Sequence, residues 1–170
     1  DDEQIAKAKE ILKPWYDRSD EARKNMLKNA YWAVFESAAT GVDMNGGYVF
    51  NPEEDNYTQA TVWSRAILQT VILGYNPYDF GDDHLNLVKG LLSLKNEYGL
   101  FGGYANNEWA LMALKACGEE IPQGLIDYVK NTDMYNSWSI DMRGWALAAL
   151  KGLIPEDELM EGVLALKDAQ

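Results

Sequence analysis

Residues 107–118 read Asn-Glu-Trp-Ala-Leu-Met-Ala-Leu-Lys-Ala-Cys-Gly, and their apolar positions have the spacing of a helix. Trp109, Met112 and Ala116 recur at intervals of three and four residues, which places them on one helical face. Two leucines extend the apolar surface most of the way round. Gly118 can adopt the left-handed conformation that ends a helix. We therefore expect a helix that is buried on more than one side.

The same pattern recurs at three other places in the chain. Residues 145–151 repeat residues 109–115 at six of seven positions. Trp32 and Arg65 are each followed by a glycine nine residues later, as Trp109 is. The four leading residues lie 33, 44 and 36 residues apart, which is a period typical of stacked helical repeats.

Composition limits the class of protein and its partners. The chain has 170 residues, of which 47% are apolar, so we expect one domain, 1–170, with a sizeable core. Its 15 basic and 27 acidic residues give a net charge of −12. Nucleic acids and anionic membrane surfaces attract basic proteins, so the charge predicts no nucleic-acid partner. Charged residues interrupt the apolar runs, so no membrane insertion is expected either.

The residues at the two ends of the chain lead to two expectations. Asp1-Asp2-Glu3 is the reverse of a basic leader, so the start is either cytosolic or the beginning of a mature chain. Residues 158–170 read as a helix without a glycine at its end, so we expect the chain to be part of a longer protein. Cys117 is the single cysteine and leaves the redox compartment open.

The periodicity predicts eight helices and no strand, with Pro14 distorting or ending the first helix. Two long loops are expected between helices, at 42–56 and 97–106. The helices predicted from spacing and turn signals cover 3–16, 19–40, 57–73, 83–95, 107–118, 122–131, 141–152 and 155–170.

These helices fall into two kinds. The helices rich in Trp, Ala and Leu are apolar nearly all round, so we expect them to line the inside of the molecule. The helices at 83–95 and 155–170 have charged faces and should lie outside. Inner and outer antiparallel helices that alternate in this way curve into an arc or ring.

The order and spacing of several motifs resemble the repeat of the prenyltransferase and squalene-cyclase type of α/α toroid. They are Leu-Gly-Tyr-Asn-Pro at 73–77, Gly-Gly-Tyr at 102–104 ahead of the helix from Trp109, and Tyr-Asn-Ser-Trp-Ser at 135–139. The resemblance spans about residues 20–170 and is closest to the form found in secreted and cell-surface proteins of Gram-positive gut bacteria. It implies an all-α, toroid-like stack of about four antiparallel helix hairpins, which is a partial ring.

Enzymes of this family suggest two chemistries to test. Their zinc sites use Asp, Cys and His, but we expect Cys117 to be a small buried thiol, remote from His84. Their cyclases protonate an alkene with an acid in Asp-x-Asp-Asp. The nearest match is Asp82-Asp83, at the expected start of an outer helix, where carboxylates cap free N–H groups. Catalytic residues, metal and cofactor are therefore predicted to be absent.

A binding site has more support than a catalytic one. The inner helices should be parallel, so that their N-terminal ends form one rim with aromatic and hydrogen-bonding side chains suited to sugar rings. The alternative is that the aromatic residues wedge between helices while the Gly-Gly pairs allow tight turns. The predicted ligand-binding residues are Tyr48, Tyr57, Trp63, Tyr104, Asn106, Glu108, Trp138, Asp141 and Arg143.

Three functions follow from these observations. The first is a non-catalytic module of a secreted or cell-surface bacterial protein that binds a glycan-like or other small ligand, or serves adhesion. The second is an enzyme, glycan-active or terpenoid-cyclase-like, that uses the rim acids Glu108 and Asp141. The third is a corrinoid-binding domain, since corrinoid carriers contain a similar toroid. Self-association or further domains would complete the ring.

Overall fold

The computed structural model describes residues 2–16, 35 and 58–169. The described residues contain helices and a single isolated bridge between Phe80 and Leu85, with no named strand, so the all-α prediction is confirmed. The loop expected at 42–56 and the predicted site residues Tyr48 and Tyr57 lie outside the described residues, and of the helix expected at 19–40 only Phe35 is described. The elements are α1 (Asp2–Tyr16), α2 (Ala60–Ile72), α3 (Leu87–Leu92), α4 (Asn106–Ala116), α5 (Gln123–Tyr128), a π-helix (Val129–Met134), α6 (Ile140–Leu150) and α7 (Glu156–Asp168).

Three helices form a central row in which α4 packs against α2 on one side and α6 on the other. The middle helix is buried along most of its length, as its two-sided contacts require. The alanines Ala110 and Ala113 of α4 and Ala146 and Ala149 of α6 are fully buried, so the two backbones can approach closely. The prediction that helix 107–118 is buried on more than one side is therefore confirmed.

Hydrogen bonds at both ends show that the three helices run in the same direction. The backbone N–H of Thr61, at the start of α2, donates to Oδ1 of Asn106, at the start of α4, over 3.0 Å. At the other end, Nζ of Lys115 donates to the carbonyl oxygens of Ala149 and Lys151, where α6 finishes, over 3.0 and 2.9 Å. The N-terminal ends of α2, α4 and α6 therefore lie on one side of the molecule.

The other elements cover this row. α3 packs against α2, the π-helix packs against α6, and α7 packs against α6 as well. Gly162 allows α7 to approach α6 and the π-helix closely, because a Cβ atom at this position would lie 2.8 Å from Cδ2 of Leu147 and from Sδ of Met134. None of the helices in the described ranges combines the length and the hydropathy needed to cross a bilayer.

The helix predicted at 83–95 is shorter than expected. α3 begins only after Asn86, whose Oδ1 accepts a hydrogen bond from the backbone N–H of Lys89 over 2.8 Å. His84 has a φ of +54°, so the preceding residues form a turn that cannot continue a helix. The prediction that Asp82 and Asp83 cap this helix is therefore wrong, because Asn86 does so.

The segment after α5 also differs from the prediction, which placed a helix at 122–131 and a loop at 134–139. The chain continues as the π-helix to Met134. Its wider turn brings residues five apart onto one face, and Val129 and Met134 are both buried there. Burial of these two side chains, which periodicity of 3.6 does not anticipate, accounts for the extension.

Candidate functional site

A pocket of about 620 Å³ opens where the N-terminal ends of α2 and α4 meet. It combines aromatic rings with amide, hydroxyl and guanidinium groups. Its lining consists of Gln59, Thr61, Arg65, Gly103, Tyr104, Ala105, Asn106, Trp109 and Trp145.

Two tryptophans form the apolar wall of this pocket. The ring centroids of Trp109 and Trp145 lie 4.9 Å apart with an angle of 44° between the planes. Phe35 meets Trp109 edge to face at 6.0 Å, which fixes the ring from another side. Trp109 is only 6% exposed, so it is a packing residue, as the helical spacing predicts, and it also presents ring surface to the pocket.

The polar part of the lining is held by hydrogen bonds between helices. α2 has no side-chain cap of its own at Gln59, and Asn106 of α4 supplies the missing acceptor to the N–H of Thr61. Nε of Arg65 donates to the carbonyl oxygen of Thr61 over 3.3 Å. These contacts hold the amide group of Asn106 and the guanidinium group of Arg65 in the pocket lining.

The turn that enters α4 has a backbone conformation that is unusual for its residues. Ala105 has a φ of +58° although it carries a Cβ atom, and it is buried against Trp109 and Met142. Gly103 has a φ of +72°, and a Cβ atom there would lie 2.6 Å from Nδ2 of Asn106. A non-glycine residue held in the left-handed region costs about 1–3 kcal/mol and often occurs at functional sites. This strained turn, residues 103–105, forms part of the pocket lining.

Two of the predicted site residues line the pocket. Tyr104 is 62% exposed at its edge, and its hydroxyl lies 3.4 Å from Oγ of Ser139 at the start of α6. Asn106 lies deeper and is engaged with Thr61. The lining residues that the prediction missed come from the start of α2, from the turn before α4, and from the two tryptophans of α4 and α6.

Three other predicted residues lie near the start of α6, outside the pocket lining. Trp138 is 92% exposed, and Asp141 is an exposed residue of the first turn. Arg143 is half-buried, and its Nε donates to the carbonyl oxygen of Ser137 over 2.7 Å. Tyr104 connects this group to the pocket through its contact with Ser139.

Trp63 and Glu108 lie away from the rim. The ring of Trp63 packs on α3, where a Cβ atom at Gly90 would lie 2.7 Å from its Cε3. Glu108 is 1% exposed and hydrogen-bonds to the carboxylate of Asp133. Burial, then this hydrogen bond, raises the pKa of Glu108 from its ordinary value of 4.5 to about 8.

The cysteine and the histidine take part in separate local contacts. Cys117 is half-buried, and burial together with the nearby Glu119 raises the pKa of its thiol. Nδ1 of His84 lies 2.7 Å from Oδ1 of Asp79 on the surface. Within the described ranges no three His, Cys, Asp or Glu side chains come close enough together to hold a metal ion.

Comparison with protein-family models, with curated proteins and with solved structures finds no match for this chain.

Proposed function

We propose that this chain is a non-catalytic helical-repeat module, of the α/α-toroid type, that binds a glycan-like ligand at the starts of α2 and α4. The observation that carries the proposal is the pocket, whose lining combines the rings of Trp109 and Trp145 with the amide groups of Gln59 and Asn106. A lining that combines aromatic rings with hydrogen-bonding groups suits a ligand ring that has an apolar face and a polar edge.

The size and rigidity of the pocket support this proposal. Its volume of about 620 Å³ lies within the roughly 300–1,000 Å³ of small-molecule sites. The paired tryptophans and the hydrogen bond between Asn106 and Thr61 hold the walls before a ligand arrives. Preorganised walls lower the entropic cost of binding.

The toroid type is proposed from the arrangement of the helices together with the resemblance of the sequence. The parallel row of α2, α4 and α6 with α3, the π-helix and α7 packed on it is the arrangement that such a repeat requires. The location in a secreted or cell-surface protein, and a role in adhesion, rest on the resemblance alone.

The enzymatic and corrinoid alternatives have less support. A glycan-active enzyme needs two carboxyl groups roughly 5–10 Å apart beside the substrate. Glu108 is buried against Asp133, and neither Glu108 nor Asp141 is among the lining residues. No specific observation favours a terpenoid cyclase or a corrinoid domain.

The proposal is tested by screening the protein on a glycan array and measuring the affinity of the hits by titration calorimetry. The variants Tyr104→Ala and Gln59→Ala change exposed lining residues and should each weaken binding at least several-fold. Tyr75→Ala is the matched control, because Tyr75 is an exposed aromatic at the opposite end of α2. Binding that survives both lining substitutions, or no glycan binding at all, would remove the pocket as a glycan site.

A further inference from the structure

Trp138 presents its indole to water on a loop whose backbone is fixed on both sides. Its side chain is 92% exposed, although indole is among the most apolar of side chains. Ser137 before it accepts the 2.7 Å hydrogen bond from Arg143, and its Oγ accepts from the N–H of Ser139 over 3.2 Å. Ser139 in turn caps α6 by accepting from the N–H of Met142 over 3.4 Å. The folded protein therefore keeps the ring of Trp138 exposed, and this ring contributes little to the hydrophobic core.

This loop is continuous with the edge of the pocket. The hydroxyl of Tyr104, which lines the pocket, lies 3.4 Å from Oγ of Ser139, the residue next to Trp138. Tyr104 is itself 62% exposed. Two exposed aromatic residues, one lining the pocket and one next to Ser139, therefore lie on loops that are joined by a hydrogen bond.

We infer that the ligand is a neutral oligosaccharide chain, one end of which occupies the pocket while a following sugar unit stacks on Trp138. The inference rests on the proposed function and adds a second subsite and a minimum length to it. A single sugar ring in the pocket would not contact an aromatic surface beyond Tyr104. A chain of sugar rings would, because it presents apolar faces repeatedly along its length.

Charge favours a neutral chain over an acidic one. The protein carries a net charge of −12, which repels polyanionic ligands at long range. Asp141 is exposed three residues from Trp138 and adds negative charge beside the proposed subsite. Aromatic stacking against an uncharged ring avoids this repulsion.

The experiment compares ligand length in the wild type and in Trp138→Ala, with Trp138→Phe and Tyr75→Ala as controls. The probes are cello-, xylo-, manno- and chito-oligosaccharides from monomer to hexamer, measured by titration calorimetry. Affinity for the matching series should rise with length by about five- to tenfold, the worth of one aromatic stacking contact. Trp138→Ala should abolish this rise, while Trp138→Phe should retain most of it and Tyr75→Ala all of it. Trp138→Ala should fold normally because its side chain is exposed.

The outcomes separate this inference from the proposed function. Affinity that is independent of length, or unchanged in Trp138→Ala while Tyr104→Ala still weakens it, leaves the pocket in place and overturns the second subsite. Absence of binding to every probe overturns both. Sedimentation of the same variants tests whether Trp138 instead mediates self-association. Self-association that is lost in Trp138→Ala, with no change in sugar affinity, would overturn the second subsite and assign the ring to a contact between two copies of this chain.

Discussion

Glu108 of α4 and Asp133 of the π-helix share a hydrogen bond between two carboxyl groups in the interior. Two carboxyl groups that share a hydrogen bond in the interior cannot both remain charged without a large cost, so one of them is protonated. Oε1 of Glu108 is buried and has no hydrogen-bond partner among the described residues. Tyr128 lies near both acids, and burial followed by their charges raises its pKa as well. The contact of α4 with the π-helix therefore depends on a proton.

The first prediction concerns the pH dependence of stability. Because the pKa of Glu108 is raised from 4.5 to about 8, the folded protein keeps this proton while the unfolded chain loses it. The free energy of unfolding should therefore fall between about pH 4.5 and 8, by up to about 5 kcal/mol, and then level off. Glu108→Gln retains a donor toward Asp133 and should be more stable than the wild type at pH 8 but not at pH 5.

Urea unfolding at the two pH values measures this difference. The comparison is between variants at each pH, so that effects common to both proteins cancel. Glu161→Gln, at an exposed position of α7, is the control and should follow the wild type. A Glu108→Gln profile parallel to that of the wild type would show that the buried acid carries no excess proton.

The second prediction uses two glycines that lie inside helices. A Cβ atom at Gly90 would meet the ring of Trp63, whereas one at Gly144 would meet nothing within 4 Å. Alanine favours a helix over glycine by about 0.5–1 kcal/mol, so Gly144→Ala should stabilise by that amount. Gly90→Ala should destabilise by about 1–3 kcal/mol, because overpacking outweighs propensity. Thermal unfolding measured by circular dichroism should shift in opposite directions, and a stabilised Gly90→Ala would mean that Trp63 moves aside freely.

The third prediction concerns the far end of the central row. Lys115 donates to the carbonyl oxygens of Ala149 and Lys151, and burial followed by the charge of Lys151 lowers its pKa. Lys115→Met keeps most of the aliphatic stem but leaves both carbonyl groups without this donor. The free energy of unfolding should fall by about 1–3 kcal/mol. Lys95→Met, at an exposed loop position, should have no comparable effect, and equal stability of the two variants would contradict the capping role.

The fourth prediction separates the structural role of Asn106 from its role in the pocket. Asn106→Ala leaves the N–H of Thr61 without its acceptor and should cost about 1 kcal/mol in stability. Asn106→Asp retains an acceptor at the start of α2 and should preserve stability. Because only the amide can donate to a sugar hydroxyl, both variants should weaken glycan binding in calorimetry. Full binding by Asn106→Asp would show that the donor is unused.

The amino-acid sequence by itself determined where most helices lie. Local periodicity is sufficient to identify α4 and α6, and the left-handed glycines Gly118 and Gly152 follow them, since these features depend on neighbours within one or two turns. Prediction of helix bounds from local periodicity failed where a contact with a distant part of the chain outweighs the local spacing. The π-helix extends because Met134 is buried against α6 and α7, and the start of α3 is delayed to Asn86 by a turn.

The candidate site was decided mainly by the tertiary structure. Tyr104 and Asn106 could be predicted because a Gly-Gly turn ahead of a helix places polar and aromatic residues at its start. Arg65 and Gln59 could not, because they reach the pocket only through the packing of α2 on α4, with Thr61 and Asn106 separated by 45 residues in the chain. Glu108 was expected at the rim and lies in the interior. The local sequence determines the direction in which a side chain leaves its helix. The packing of neighbouring elements determines whether that side chain meets water or, as for Glu108, meets Asp133.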